Sequence, residues 1–101
     1  MEPVIIGTEV KFAVNISAEG FSMEDDDFVI SLLKGRNVVK EYSKTDLVLD
    51  FDGTYLLCID TAEVGVGSFD IAVMAKIPDT HFEDGFRTEI ERVELMTVKK
   101  L

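Results

Sequence analysis

The sequence is poor in the residues that cross-link or interrupt a chain, with one cysteine, Cys58, and two prolines in 101 residues. A single cysteine cannot form an intrachain disulfide, which excludes a disulfide-stapled secreted scaffold. Cys58 stands in an apolar, alternating stretch with no basic residue or second cysteine near it in sequence. This setting predicts a buried and unreactive thiol.

Basic residues and long apolar runs are scarce as well. Ten Lys and Arg stand against 20 Asp and Glu, a formal net charge of −10. A field of that sign repels phosphate, so neither nucleic acid nor an anionic membrane is expected as a partner. Runs such as Tyr55–Ile59 are far too short to span a bilayer. The first seven residues have no basic n-region and no long apolar h-region, so no signal peptide is expected.

Histidine occurs once, as His81, in a predicted loop between Thr80 and Phe82. A nucleophilic triad needs an imidazole beside its nucleophile, and a zinc site needs several His or Cys ligands. Gly65-Val66-Gly67 lacks the third glycine and the following helix of a phosphate-binding loop. Paired carboxylates could serve glycoside chemistry in principle, but acids clustered on a convex pole would lack a groove. We therefore expect no catalytic residues and no cofactor, and hence no enzyme.

Apolar residues are abundant, at 47% of the chain, and they recur with period two. Between Val10 and Ser17, for example, apolar and polar side chains alternate strictly, as in a half-buried strand. The predicted strands cover residues 10–17, 28–33, 38–42, 45–50, 54–60, 69–77 and 86–99. A helix over Ser22–Leu33 is the alternative for the second strand, but alternation and β-branching favour extended structure. We predict one domain, 1–101: an all-β, two-sheet antiparallel sandwich of about seven strands with an immunoglobulin-like layout.

Two irregularities modify this pattern. The last strand changes phase, which predicts a β-bulge near Glu91-Arg92. Several strands are also apolar on both faces, because Leu33, Leu56, Cys58 and Met74 alternate with inward residues. Either loops cover the second face of a central strand, or that face meets another chain.

Acidic residues concentrate in three loops that an immunoglobulin-like strand order would place at one pole of the sandwich. Oxygen-rich loops suit Ca²⁺, although none has the ligand spacing of an EF-hand. The alternatives are a solvated acidic face and a docking patch for a basic partner. The calcium candidates are Asp25, Asp26, Asp27, Asp52, Asp79, Glu83 and Asp84.

A set of turn and strand signals recurs together along most of the chain. These signals are Gly7-Thr8-Glu9-Val10, Asp46-Leu47 before Gly53-Thr54-Tyr55, the 61–67 turn into Ser68-Phe69-Asp70, Ile77-Pro78-Asp79, and Asp84-Gly85-Phe86-Arg87-Thr88-Glu89. In them the chain resembles small immunoglobulin-like proteins encoded in prophage regions of Bacteroides-type bacteria. It is distantly similar to the N-terminal domain of phage baseplate upper proteins and tail-fibre proteins.

The resemblance implies a structural part of a phage tail or baseplate, made in the cytoplasm and associated with the virion. It supplies no catalytic residues. The expected partners are proteins, either phage tail components or further copies of the chain. In baseplate upper proteins such a domain is joined to a receptor-binding part, which this sequence does not contain. The alternative function is a ligand-binding module of adhesin or carbohydrate-binding type that uses the acidic loop pole.

Overall fold

The computed structural model describes residues 3–101. Met1 and Glu2, which belong to the stretch assessed as a signal peptide, lie outside the described residues. Regular structure is almost entirely extended, as the period of two predicts. The described residues form eight strands: β1 (Val4–Ile5), β2 (Glu9–Val14), β3 (Phe28–Lys34), β4 (Asn37–Ser43), β5 (Val48–Leu49), β6 (Tyr55–Asp60), β7 (Gly67–Pro78) and β8 (Phe86–Lys99). Two short turns of helix complete the structure, a 3-10 turn at Lys44–Asp46 and the α-helical turn α1 at Thr61–Val64.

The strands form two sheets. The larger has the order β1-β8-β7-β3-β4 and the smaller the order β2-β6-β5. All pairs are antiparallel except β1 with β8, where Val4 and Ile5 lie beside Val98 and Lys99 in parallel. The all-β, two-sheet prediction is confirmed, while the expectation of purely antiparallel sheets was wrong. The larger sheet is mixed because the first short strand joins it at the end of the last one.

The core lies between the sheets and takes the inward residues of both, so the alternation in the sequence identified its members. Two edge-to-face contacts join the layers at one end, with the ring of Phe28 centred 6.0 Å from Tyr55 and 6.3 Å from Phe21. The most buried large side chains are Phe28, Ile30, Leu32, Leu57, Phe69, Ile77 and Val98.

The strand predicted over residues 45–50 is shorter than expected. Ser43 and Asp46 form a capping box, in which the Asp46 carboxylate accepts hydrogen bonds from the Ser43 backbone N–H at 2.8 Å and hydroxyl at 3.0 Å. Such boxes nucleate a helical turn. Residues 44–46 therefore coil into the 3-10 turn, and only Val48 and Leu49 remain extended, paired with β6.

β8 contains a bulge, but the bulge does not lie where the apolar pattern predicted it. The β7–β8 register shifts between Phe69, opposite Met96, and Asp70, opposite Glu94, so that Leu95 is the extra residue. The prediction near Glu91-Arg92 was wrong because it assumed that the apolar phase of the first half faces inward. In fact Ile90 faces outward, and the inward positions there hold Glu89 and Glu91.

Thr61 hydrogen-bonds Gly7 and Thr8, the residues between β1 and β2. Its side chain is 0% exposed, and its hydroxyl accepts a hydrogen bond from the Gly7 N–H at 2.9 Å and donates to the Thr8 carbonyl at 2.7 Å. The backbone N–H of Thr61 also donates to the Thr8 carbonyl, at 3.2 Å. These bonds fix the turn between β1 and β2. Among residues 3–101, no helix is long and apolar enough to cross a membrane.

Candidate functional site

The three acidic segments lie at the same end of the sandwich. Residues 24–27 lead into β3 at Phe28, which pairs with Ala75 near the end of β7, and residues 79–85 follow β7 directly. The turn 50–53 leads into β6 at Tyr55, whose ring packs on Phe28. Strand direction thus carries all three segments to one pole.

The carboxylates at this pole are used to shape their own loops. Asp26 accepts a hydrogen bond from the Ser22 N–H at 2.8 Å, Asp52 one from the Thr54 N–H at 3.0 Å, and Asp84 one from the Phe86 N–H at 3.0 Å. The Thr54 backbone N–H lowers the pKa of Asp52. These are turn-forming contacts typical of Asp, and they point the side chains back onto the chain.

Two lysines, one in the 3-10 turn and one in β7, hold the 24–27 segment in place. The Lys44 ammonium donates to the carbonyl of Glu24 and, at 3.3 Å, to that of Asp26. The backbone N–H of Lys76 donates to the Asp27 carbonyl at 3.0 Å. Within the described part of the chain, no group of three or more His, Cys, Asp or Glu side chains is placed to hold a metal ion. Asp25, Asp27 and Glu83 are exposed.

Asp79 is the most engaged carboxylate of the pole. It accepts hydrogen bonds from the His81 backbone N–H at 3.0 Å and from the Arg87 guanidinium at 2.8 Å. The His81 N–H, and then Arg87, hold the pKa of Asp79 below its ordinary value. Arg87 also bonds Glu89 at 2.9 Å and donates to the Glu19 carbonyl at 3.4 Å, so it ties the 79–85 loop to the 15–27 connection. The sequence did not single out Arg87 in this role.

His81 occupies the tip of the 79–85 turn, and its side chain is 91% exposed. Its Nδ1 lies 3.3 Å from the Asp79 carboxylate, which leaves the rest of the ring in solvent. Backbone bonds from Asp79 to Gly85 and from Phe82 to Asp79 close the turn. The imidazole thus belongs to a solvated loop tip.

Cys58 is exposed, and the prediction of a buried thiol was wrong. It lies in β6, the central strand of the smaller sheet, between the buried residues Leu57 and Ile59. Period two turns Cys58 to the outer face, opposite Lys11 of β2. Its apolar neighbours in sequence misled the prediction, because they belong to the other face.

The outer face of the larger sheet carries a row of apolar side chains across three adjacent strands. Val29 of β3 lies opposite Met74 of β7, and Met74 lies opposite Ile90 of β8. Met74 is 39% exposed and Ile90 is 64% exposed, whereas Val29 is half-buried. We call Val29, Met74 and Ile90 the outer row. Met74 points away from the core as its position between Val73 and Ala75 predicts.

Polar and charged residues flank the outer row. On one side the Arg92 guanidinium crosses to Asp70 at 2.8 Å and donates to the Gly35 carbonyl at 2.8 Å. On the other side Thr88 lies opposite Lys76. Apolar centre and polar rim together resemble the anatomy of a protein interface.

Three comparisons complete the description of the site. The chain was compared with models of protein families, with curated proteins and with solved structures, and it matches none of them.

Proposed function

We propose that this protein is a non-enzymatic assembly module that binds other proteins through the outer face of its larger sheet. The outer row carries this proposal. Apolar side chains aligned on three neighbouring strands, two of them substantially exposed, form a contiguous surface rather than the scattered single residues normal on soluble proteins. Removing such an apolar surface from water lowers the free energy when a partner protein covers it.

The arrangement of the outer row suits a flat, rigid contact. Val29 and Met74 sit on strands that are paired on both sides, and Ile90 sits on β8, which is paired with β7 there. A preorganised surface loses little conformational entropy on binding. Methionine adapts its shape to a partner at small cost, which favours Met74 as the centre of the contact.

We propose further that the sandwich is immunoglobulin-like. Support comes from the division of the strands, with β2, β6 and β5 in one sheet and β8, β7, β3 and β4 in the other. Immunoglobulin domains likewise place their second, fifth and fourth strands in one sheet and their third, sixth and seventh strands in the other, and variable-type domains extend the latter. In this alignment β1 corresponds to the first immunoglobulin strand, which here pairs with the last strand, β8.

The biological setting we propose is a phage or prophage tail or baseplate, with tail components or further copies of the chain as partners. The resemblance of the turn and strand signals supports this setting. A non-enzymatic role agrees with the position of His81 in a solvated turn and with the use of Asp52, Asp79 and Asp84 in shaping loops. No contact of the acidic pole favours the alternative, a calcium-dependent ligand-binding module.

The proposal is tested by following a tagged chain into the native assembly. Met74→Lys places a charge in the outer row, and Val48→Lys places the same charge on the smaller sheet, where Val48 is 51% exposed. We expect sedimentation of the assembly to carry the wild type and Val48→Lys equally, and to lose most of Met74→Lys. Equal incorporation of the two variants would contradict the proposal, provided that both show the wild-type circular dichroism spectrum.

A further inference from the structure

A groove of about 590 Å³ opens along one side of the sandwich, between an edge of each sheet. The edge strand β2 and the residues that follow it form one wall, from Phe12 to Ala18. The other wall comes from the middle of β8 and consists of Glu89, Ile90, Glu91, Val93 and Leu95. The floor is apolar and consists of Leu57, Ile71, Val73 and Ala75. The core therefore comes close to the surface here.

Both walls of the groove present strand edges without a partner strand. Among residues 3–101, β2 pairs with β6 alone. The second edge of β8 pairs with β1 only at Val98 and Lys99, so residues 86–97 have no strand beside them on that side. Unpaired edges offer backbone N–H and C=O groups in the spacing that another extended chain can use.

A contact bounds the unpaired stretch of β8 at each end. At one end the Arg87 guanidinium donates to the Glu19 carbonyl at 3.4 Å, which joins β8 to the connection that follows β2. At the other end β1 lies along Val98 and Lys99, and the Ile6 N–H donates to the Lys99 carbonyl at 2.8 Å. The open stretch from Glu89 to Leu95 matches an extended segment of about seven residues, roughly 23 Å long.

The charges inside the groove are all of one sign. Glu89 and Glu91 lie opposite Ala75 and Val73 of β7, in the phase of β8 that faces the other sheet. No Lys or Arg lines the groove. Arg87 binds Glu89 and Asp79, and within the described residues the Glu91 carboxylate has neither an ion pair nor a hydrogen bond. The groove thus combines an apolar floor with a carboxylate wall.

We propose that this groove binds one extended, basic strand of a partner protein by β-augmentation. The strand runs parallel to β8, the direction that β1 already takes at Val98 and Lys99. It places Lys or Arg beside Glu89 and Glu91, and apolar side chains towards Val93 and the floor. A second copy of the chain fits less well, because two molecules of charge −10 repel and the groove itself is acidic. This inference rests on the proposed role in assembly, but it concerns the groove, which shares only Ile90 with the outer row.

The test uses the full chain and a synthetic peptide, acetylated and amidated Lys-Thr-Lys-Thr-Val-Thr-Ile. Its inward positions are the two lysines, Val and Ile, in the order that the groove requires. In a titration followed by ¹⁵N NMR, we expect amide shifts concentrated in residues 12–18 and 89–95. The matched peptide Glu-Thr-Glu-Thr-Val-Thr-Ile should bind at least tenfold more weakly, because attraction at two sites becomes repulsion.

Two charge-reversal variants of β8 test whether the affinity for the basic peptide depends on a carboxylate inside the groove. Glu91→Lys should weaken binding of the basic peptide about tenfold and strengthen binding of the acidic one. Glu94→Lys makes the same charge change on the same strand, but Glu94 lies opposite Asp70, away from the groove. It should bind within twofold of the wild type. If Glu91→Lys does not fold, the two peptides compared on the wild-type chain decide the question.

Several results would overturn the inference: no shifts at millimolar peptide, shifts at Val29 and Met74 instead, or equal weakening in Glu91→Lys and Glu94→Lys. Concentration-dependent shifts of the groove residues without peptide would make a second copy the occupant, which also contradicts the basic strand. Met74→Lys separates this inference from the proposed function. It should bind the peptide normally while failing to enter the assembly, so either result can fail without the other.

Discussion

Substitution of Thr61 tests the hydrogen bonds that hold the turn between β1 and β2. Thr61 is the one polar residue among the buried residues described. Thr61→Val keeps the shape of the side chain but removes the hydroxyl that bonds the Gly7 N–H and the Thr8 carbonyl. The Thr8 carbonyl keeps its bond from the Thr61 backbone N–H, so Gly7 is the group left without a partner. Two lost hydrogen bonds, each with a net value of about 1 kcal/mol, predict a loss of about 2 kcal/mol of unfolding free energy.

For a domain of this size, a loss of about 2 kcal/mol lowers the melting temperature by roughly 8–16 °C. Thr61→Ser is the matched control, since it keeps the hydroxyl and loses one buried methyl, at a cost of about 1 kcal/mol. Thermal unfolding followed by circular dichroism measures both. Hydrogen exchange at the Gly7 amide should accelerate in Thr61→Val and not in Thr61→Ser. A Thr61→Val protein as stable as the wild type, or more stable than Thr61→Ser, would refute the reasoning.

Three further outcomes are expected. Because the His81 N–H and Arg87 depress the pKa of Asp79, its charge stabilises the fold above the unfolded-state pKa of about 3.9, and this contribution is lost as pH falls through the folded-state pKa. The melting-temperature difference between wild type and Asp79→Asn should therefore shrink below about pH 4, and a difference that stays constant from pH 7 to pH 2 would count against it. Gly67→Ala should destabilise the fold by about 1–2 kcal/mol in urea unfolding, because Gly67 has φ +141°, a conformation that alanine adopts only with strain, and because the Lys34 side chain, which donates to the Val66 carbonyl, would have to move away from the new Cβ; an unchanged midpoint would speak against this strain. Cys58 should react with a thiol reagent in the native protein at a rate near that of the unfolded chain, and protection until unfolding would show that the thiol is covered.

Alternation in the sequence sufficed to identify most strands and most of the core. Phe12 and Val14 face inward in β2, and Phe69 and Ile77 do so in β7, because period two assigns a face to each residue once one of them is placed.

Prediction from the sequence failed where the face on which a residue lies depends on a partner strand. The bulge at Leu95 exists only relative to β7, so no pattern within β8 could locate it. Cys58 is exposed because it lies on the outer face of β6, opposite Lys11, which its apolar neighbours in sequence could not reveal. The shortening of β5 had a local signal that was missed, the spacing of Ser43 and Asp46.

The same distinction applies to the candidate binding surfaces: single outward-facing residues could be predicted from the sequence, but surfaces formed by several strands could not. Met74 was recognised as outward-facing from its position in an alternating strand. The outer row was not predicted, since its alignment with Val29 and Ile90 depends on the registers of β3, β7 and β8. The groove could not be predicted either, because the sequence does not show which strand edges remain unpaired.

Photo-crosslinking from position 74 tests the proposed assembly role most directly. A benzoylphenylalanine introduced there, and at position 48 as the control, is activated in the native assembly, and the crosslinked products are identified by mass spectrometry. We predict that position 74 crosslinks to a defined structural protein of the assembly or to a second copy of the chain, and that position 48 does not. Crosslinks of equal yield from both positions, or none from position 74, would contradict an assembly surface on the larger sheet.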